Sequence, residues 1–390
     1  MLHDPGAYRA GLRRRLRLQE SSLLSCCWSP AGLHVAAGSD FGRICVWDAQ
    51  PLLFPPNPAD DDAMDATETA TPTTKRPVPP QGAFDATASP IYGLSSAPNS
   101  QLCVVAEEEV RLFRWADVLA PASAPEPVVT IKAMFVAAQK SKRPVMRPEF
   151  TCASAGGDGG VVVGCGDGCL RLFDVGKGGG ALASVNEGHK RAIHSVVQVG
   201  SDPRLFVTAS EDGTAGIWDL RDSAAVVRRA KLGSRSGAWA AAAAVDADGG
   251  WALVGGGRGH GVGAGTGRTG YKRGATLKGG TLSGLLSVVH LGSGRTLTTA
   301  ARPGPVYAAA AVPQGWMVGG EGCVDVLPPA ISDATAADGG GARTTSPAVF
   351  GVSVADLPAA EEAPLAVVGA SPYLDLFAYP GHRSAVLGIA

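Results

Sequence analysis

Short apolar runs separated by tight polar turns recur along the chain, and the clearest set lies between Glu187 and Arg221. Each run has the length of a short β-strand, and the three runs cover residues 192–197, 205–210 and 215–220. The turn at 211–214 reads Glu-Asp-Gly-Thr, which favours a tight reversal with Gly213 at a positive φ. Trp218 lies in the last run, and its indole is large enough to fill the gap between two neighbouring sheets. The pattern therefore predicts one small antiparallel sheet that packs against others.

Weaker copies of this unit occupy the rest of the chain. Residues 38–48 repeat the turn, the strand and the Trp-Asp ending, and Phe173 lies 45 residues before Trp218. That step matches the period of a propeller blade, roughly 40–45 residues. We predict an all-β fold, a seven-bladed β-propeller whose units include residues 24–48, 91–115, 160–174, 189–221, 239–290, 306–326 and 348–377. A six-bladed ring, with one unit wrongly split in two, is the alternative.

The two ends of the chain decide how such a ring closes. Residues 1–20, which include Arg13-Arg14-Arg15, are expected to form a basic arm or a short helix, and residues 21–390 the propeller. We expect residues 383–389 to be the outer strand of the last blade, with residues 16–18 as the alternative source. Three polar or glycine-rich stretches predict disordered loops, at residues 51–81, 257–283 and 328–345.

Composition limits the class of protein. The net charge is −1 and 45% of the residues are hydrophobic, which indicates a globular chain with no general attraction to nucleic acid. No apolar run reaches the length of about 18 residues that spans a membrane, and the first residues lack the apolar core of a secretory signal. The eight cysteines fall mostly within predicted strands, so we expect free thiols in a reducing compartment, the cytosol or the nucleus.

Two motifs resemble ligand sites without their usual context. Residues 265–270 match the glycine fingerprint of dinucleotide-binding proteins, but only more glycine flanks them where that fingerprint needs a strand and a helix. The surrounding basic, glycine-rich stretch is at most a weak RNA contact. Cys165 and Cys169 are four residues apart, but no second pair of ligands lies near them in the sequence for a structural zinc ion. We therefore expect neither a cofactor nor a metal.

The segment from Gly188-His189 to Trp218-Asp219 resembles a WD repeat. That resemblance implies a hydrogen-bonded network inside the blade, formed by His189, Ser210 (or Thr208), Asp212 and Trp218. The set looks superficially like a hydrolase triad, but the motif supplies neither an oxyanion site nor a pocket. A buried network whose members are all satisfied makes a blade rigid, so we predict a structural role and no enzyme.

Trp218-Asp219-Leu220-Arg221 also resembles the Trp-Asp-x-Arg box by which some WD-repeat proteins dock onto a cullin ubiquitin-ligase adaptor. The candidate docking residues are Trp218, Asp219 and Arg221. Because Arg or Lys often follows Trp-Asp at the end of a blade, this box is the alternative reading of the chain's function.

The order of the segments is similar to that of the WD-repeat subunit six family of the THO complex, the nuclear assembly that couples transcription to mRNA export. The similar segments are residues 29–38, 90–94, 110–119, 237–239, 246–257 and 373–384. The long loops depart from the family pattern, and residues 288–290 of the fifth unit read Val-Val-His where a Trp is usual.

This resemblance implies a non-enzymatic scaffold in the nucleus. Such a subunit is expected to bind the coiled-coil subunits of its complex and to contact RNA mainly through them. A propeller offers rigid docking surfaces, which suits that role. We expect no contact with a membrane.

Overall fold

Four-stranded antiparallel sheets follow one another along the chain, each built from four consecutive strands. Two short helices are the only other regular elements of the described residues: α1 (Gln50–Leu53) follows β3, and α2 (Trp115–Leu119) follows β7. The computed structural model describes residues 20–54, 77–97, 99–120, 124–133, 149–156, 160–176, 181–200, 202–221, 226–233, 237–258, 283–332, 341–355, 363–379 and 382–389.

The strands divide into seven blades. Blade one has β1 (Leu23–Trp28), β2 (His34–Ser39), β3 (Arg43–Asp48) and β4 (Gly82–Asp85). Blade two has β5 (Ile91–Ala97), β6 (Gln101–Ala106), β7 (Glu109–Arg114) and β8 (Val129–Lys132). In blade three are β9 (Phe150–Gly156), β10 (Gly160–Cys165), β11 (Cys169–Asp174) and β12 (Ala181–Glu187). Blade four contains β13 (Ile193–Val199), β14 (Asp202–Ser210), β15 (Thr214–Asp219) and β16 (Val226–Lys231).

The remaining three blades continue the series. Blade five has β17 (Ala238–Val245), β18 (Trp251–Arg258), β19 (Ser283–His290) and β20 (Arg295–Arg302). In blade six are β21 (Ala308–Val312), β22 (Gly315–Gly319), β23 (Cys323–Leu327) and β24 (Ala342–Arg343). Blade seven contains β25 (Val349–Val354), β26 (Leu365–Gly369), β27 (Tyr373–Tyr379) and β28 (His382–Gly388).

The first strand of each blade packs against the first strands of its two neighbours, and β25 packs against β1. The sheets therefore form a closed ring with the first strands around a central channel. The predicted seven-bladed β-propeller is confirmed, and the six-bladed alternative is wrong because each of the seven units pairs as its own sheet.

The core lies between the blades. The described residues form seven buried apolar clusters, and each cluster combines side chains from two adjacent blades. Trp218 belongs to the cluster between blades three and four, which also contains Cys152 and Leu170 of the preceding blade. It fills the gap between sheets as predicted and is only 1% exposed.

The outer strand of blade seven is β28, which pairs with β27. The prediction that residues 383–389 supply this strand is therefore confirmed. Residues 1–19, including Arg13-Arg14-Arg15 and residues 16–18, lie outside the described residues.

The ends of the three stretches predicted as loops belong to the described, folded part of the chain. Leu53 is buried, and Val78 pairs with Leu387, so residues 51–54 and 77–81 belong to the folded part. Ile331 is buried as well, and β24 begins at Ala342. Residues 55–76, 259–282 and 333–340, the inner parts of these loops, lie outside the described residues.

All eight cysteines are free thiols, and six of them are buried. Burial raises the pKa of Cys26 and of Cys103 to about 12, so both thiols stay protonated near neutral pH. Within the described ranges, no helix is both long and apolar enough to cross a bilayer.

Candidate functional site

Blade four gathers the polar residues that the sequence singled out. His189 lies just before β13, Thr208 lies in β14, Asp212 lies in the turn between β14 and β15, and Trp218 lies in β15. Gly213 in that turn has φ +77°, as predicted, which allows the tight reversal that aims Asp212 back at His189.

These four side chains form one hydrogen-bonded chain. The Nε1–H of Trp218 donates to Oγ1 of Thr208 at 2.8 Å. Oγ1 of Thr208 lies 2.7 Å from Nε2 of His189, and Nδ1 of His189 lies 3.1 Å from Asp212. Every member is satisfied if the Thr208 hydroxyl donates to Nε2 and Nδ1–H donates to the carboxylate, which assigns the tautomer. The arrangement crosses the sheet from the turn to the inter-blade gap.

Asp212 is held as a carboxylate by this environment. Burial by itself raises the pKa of Asp212, but hydrogen bonds from His189, Thr214 and the Lys190 amide outweigh burial and hold the pKa well below its usual value. The Thr214 hydroxyl donates at 2.6 Å and the Lys190 amide at 2.9 Å. Asp212 therefore fixes the turn and the imidazole together.

Ser210 lies next to this chain without joining it. Its hydroxyl donates to the carbonyl oxygen of Arg191 at 3.1 Å and accepts from the Asp212 amide at 3.2 Å. Thr208, the residue given as the alternative, takes the position between the imidazole and the indole. Both residues point to the same side of β14, and Thr208 lies one pleat nearer to Trp218.

The geometry leaves this network without access for a substrate. The His189 side chain is 0% exposed, and so is Thr208. The hydroxyl beside Nε2 of His189 belongs to Thr208, and that oxygen also accepts from the indole. A hydroxyl in this position cannot reach a reacting group from solvent.

The candidate docking box has one buried and two accessible members. Trp218 is buried, whereas the Arg221 side chain is 51% exposed at the opposite end of the strands from Asp212. Nε and Nη2 of Arg221 donate to the two carboxylate oxygens of Asp219 at 2.9 and 2.8 Å, and Nη1 lies 3.4 Å from Asp202. The Arg221 hydrogen bonds lower the pKa of Asp219. A partner that binds Arg221 must compete with both carboxylates.

Of the two ligand-like motifs, only the cysteine pair lies within the described residues. Cys165 is buried and Cys169 is half-buried, and the part of the chain that the structure describes holds no group of three or more His, Cys, Asp or Glu residues suited to a metal ion. The glycine fingerprint at 265–270 lies outside the described residues, as do Arg268, Lys272, Arg273 and Lys278 of the basic stretch.

A ring of seven residues lines a cavity of about 120 Å³ in the central channel, and the sequence analysis missed it. Each blade contributes one residue near the start of its first strand. In six blades this residue has no partner in the pairing between the first and second strands. It therefore forms a β-bulge, which turns its side chain inward. The ring consists of Leu24, Tyr92, Thr151, His194, Ala241, Tyr307 and Phe350.

A sequence signal for this ring exists. In each blade the lining residue follows a buried apolar residue or alanine and precedes a small residue, as in Ile91-Tyr92-Gly93 and Val349-Phe350-Gly351. Pairing between the first and second strands starts again at the small residue. A large side chain at that position would meet the neighbouring blade. Reading the triplet once per blade would have found the ring.

The titratable ring members are uncharged near neutral pH. Burial, with Glu107 and Glu149 adding to it, raises the pKa of Tyr92 to about 12. Burial also lowers the pKa of His194, against the opposing effect of Glu211. The cavity wall is therefore neutral and includes three Tyr or Phe rings, and Glu107, Glu149 and Glu211 lie nearby, the last of them paired with Arg191.

Comparison with known proteins agrees with the fold. Residues 12–48 and 180–219 match the family model "WD domain, G-beta repeat", and the two ranges overlap blades one and four. Together with the ring of seven sheets, this match defines the class of the fold, a β-propeller in which two segments match the WD repeat.

The chain is similar to one particular subunit within that class. It is 26% identical over 249 residues to the THO complex subunit 6 homolog of Danio rerio. The aligned part covers 62% of this chain and 68% of the relative. The sequence resemblance to the THO WD-repeat subunits is therefore confirmed.

Proposed function

We propose that this chain is a non-enzymatic scaffold subunit of a nuclear THO-like complex that couples transcription to mRNA processing and export. The observation that carries the proposal is the similarity to a THO complex subunit 6 homolog over 249 residues. The buried network of blade four supports a structural use of the residues that most resemble a reactive site.

The surfaces of the propeller are the means by which it acts in this proposal. A closed ring of packed blades presents rigid surfaces at both ends and around its rim, and binding to such a surface needs little reordering of the backbone. Coiled-coil subunits of the complex are the expected partners, and RNA is contacted mainly through them.

Affinity purification of the tagged full chain from nuclear extract tests the proposal. We expect the other THO subunits to be recovered before and after ribonuclease treatment, because the contacts are between proteins. An unrelated seven-bladed WD propeller with the same tag is the control. A bait that is folded by circular dichroism but recovers no THO subunit contradicts the proposal.

A second candidate function, substrate receptor of a cullin ligase, is favoured by the exposed guanidinium of Arg221 alone. Arg221→Ala abolishes adaptor binding if the box is used. Arg191→Ala is a matched control, because Arg191 is also exposed and paired with a carboxylate but lies at the opposite end of the blade. Adaptor binding that is absent, or equal in the two variants, rules out the box.

A further inference from the structure

The cavity in the channel is aromatic on the side of blades five to seven. The rings of Tyr307 and Phe350 meet edge to face with centroids 6.1 Å apart. Trp239 stacks on the other side of Tyr307, with centroids 5.9 Å apart and planes 24° from parallel. Tyr92 adds a third ring from blade two. Trp239 therefore supports Tyr307, and three rings line the cavity.

Carboxylates are fixed beside the other half of the ring. The Phe150 amide donates to the carbonyl oxygen of Glu107, which places Glu107 next to the segment containing Thr151. Glu149 is two residues before Thr151, and its carbonyl oxygen accepts from the Gly166 amide. The Glu211 amide donates to the carbonyl oxygen of Ala192, two residues before His194. Backbone hydrogen bonds therefore hold three acidic residues around the same end of the channel.

We propose that this end of the channel binds the guanidinium group of an arginine side chain on a partner protein. A cavity of about 120 Å³ is smaller than the roughly 300–1,000 Å³ of sites for drug-sized ligands, so it suits one side chain. Ring faces attract cations, and arginine stacks on them more often than lysine because its planar group is weakly hydrated. The carboxylates select the same charge and repel anions.

One carboxylate of this set already binds a guanidinium in the structure. Nη1 of Arg191 lies 3.1 Å from Glu211, at the exposed rim. Glu211 is therefore already paired at the rim. In the proposed complex the incoming arginine enters the channel between the rings and relies chiefly on Glu107 of blade two for charge.

Peptide binding to the purified full chain tests this proposal independently of the THO assembly. The probes are three libraries of heptapeptides with random flanks and a fixed central residue, arginine, lysine or citrulline. Citrulline keeps the shape of arginine but has no charge. We expect the immobilised chain to retain the arginine library at least ten-fold more than the citrulline library, with lysine between them.

Variants then locate the binding. Tyr307→Ala removes a ring, and Glu107→Gln removes a charge without changing size, so each should reduce arginine retention at least five-fold. Tyr379→Ala and Glu126→Gln are matched controls, because both residues are exposed and neither lines the cavity. Equal retention of the arginine and citrulline libraries overturns the proposal. So does a folded Glu107→Gln variant that binds as well as Glu126→Gln.

Discussion

At the scale of single residues, Thr208 connects the two ends of the blade-four network. Its Oγ1 contacts both the indole nitrogen of Trp218 and Nε2 of His189, and all three groups are buried. Thr208→Val keeps the shape but leaves two buried polar groups without a partner, which costs about 1–3 kcal/mol of the free energy of unfolding. Urea unfolding followed by tryptophan fluorescence measures the change.

Thr208→Ser is the control for that substitution, because it keeps the hydroxyl. It should stay closer to the wild type than Thr208→Val. If the valine variant unfolds at the same urea concentration as the wild type, the network contributes no measurable stability and its structural role is wrong.

Asp212 gives the network a pH dependence whose sign follows from its lowered pKa. A carboxyl whose pKa is lower in the folded state stabilises the fold above its unfolded pKa of about 3.9, and this contribution is lost as the pH falls through the folded value. The stability gap between the wild type and Asp212→Asn should therefore be constant from pH 7 to 5 and shrink below about pH 4. Thermal unfolding at pH 7, 5, 4 and 3 measures the gap, and a gap that widens in acid contradicts the assignment.

The residue-level prediction from sequence succeeded where spacing fixes the partners. Asp212 lies in a turn directly before a glycine at a positive φ, and Trp218 lies in the strand that leaves this turn, so Asp212 reaches His189 and Trp218 reaches Thr208. The sequence did not separate Thr208 from Ser210, because side chains two apart in a strand point to the same side. The register of β14 against β15 decides between them, because it places Thr208 nearer to Trp218 than Ser210.

At the scale of elements, glycines at the ends of second strands set the spacing between blades. In four blades, a glycine at this position lies against the apolar residue that begins the next blade, so an added Cβ would come within about 3 Å of that side chain. The pairs are Gly38 with Ile91, Gly164 with Ile193, Gly255 with Val306, and Gly319 with Val349. The close approach allows the first strands to gather around the channel.

Gly164→Ala should force blades three and four apart. Its Cβ would lie 2.6 Å from Sγ of Cys152 and 2.8 Å from Cγ2 of Ile193, and such overpacking costs about 1–3 kcal/mol. Gly166→Ala is the matched control, because its nearest neighbour is Cβ of Glu149 at 3.5 Å, an ordinary contact. Thermal unfolding compares the two variants, and equal melting temperatures contradict this account of blade spacing.

Element boundaries were predictable where a tight turn or a Trp-Asp ending marks them, as in blades one and four. Blade five was doubtful from sequence because Val288-Val289-His290 lacks the usual Trp. In the structure both valines are buried, and the indole of Trp251 packs on His290 with centroids 4.7 Å apart. The bulges were missed because strands of six to eight residues are too short for the break in alternation at a skipped residue to be recognised from sequence.

At the scale of the whole molecule, the described strands of each blade are consecutive in the chain, so among them no blade combines strands from the two ends to lock the ring. Blades seven and one meet through side chains and a few hydrogen bonds, including the Leu23 amide to Ser371 and the Trp28 indole to Ser353. Val78, from the connection between β3 and β4, crosses this joint and pairs with the outer strand of blade seven.

Val78→Pro should loosen this joint without removing any apolar bulk from the core. The Val78 amide donates to Val386 at 2.9 Å, and the Val78 carbonyl accepts from the Gly388 amide and the Trp47 indole. Proline removes the donor and fits between Pro77 and Pro79, which already favour an extended backbone. Hydrogen exchange measured by mass spectrometry should become faster in residues 382–388 and stay unchanged in residues 283–290 of blade five. Val78→Ala keeps the backbone pairing and should exchange like the wild type; if Val78→Pro does so too, the backbone pairing of Val78 does not help to close the ring.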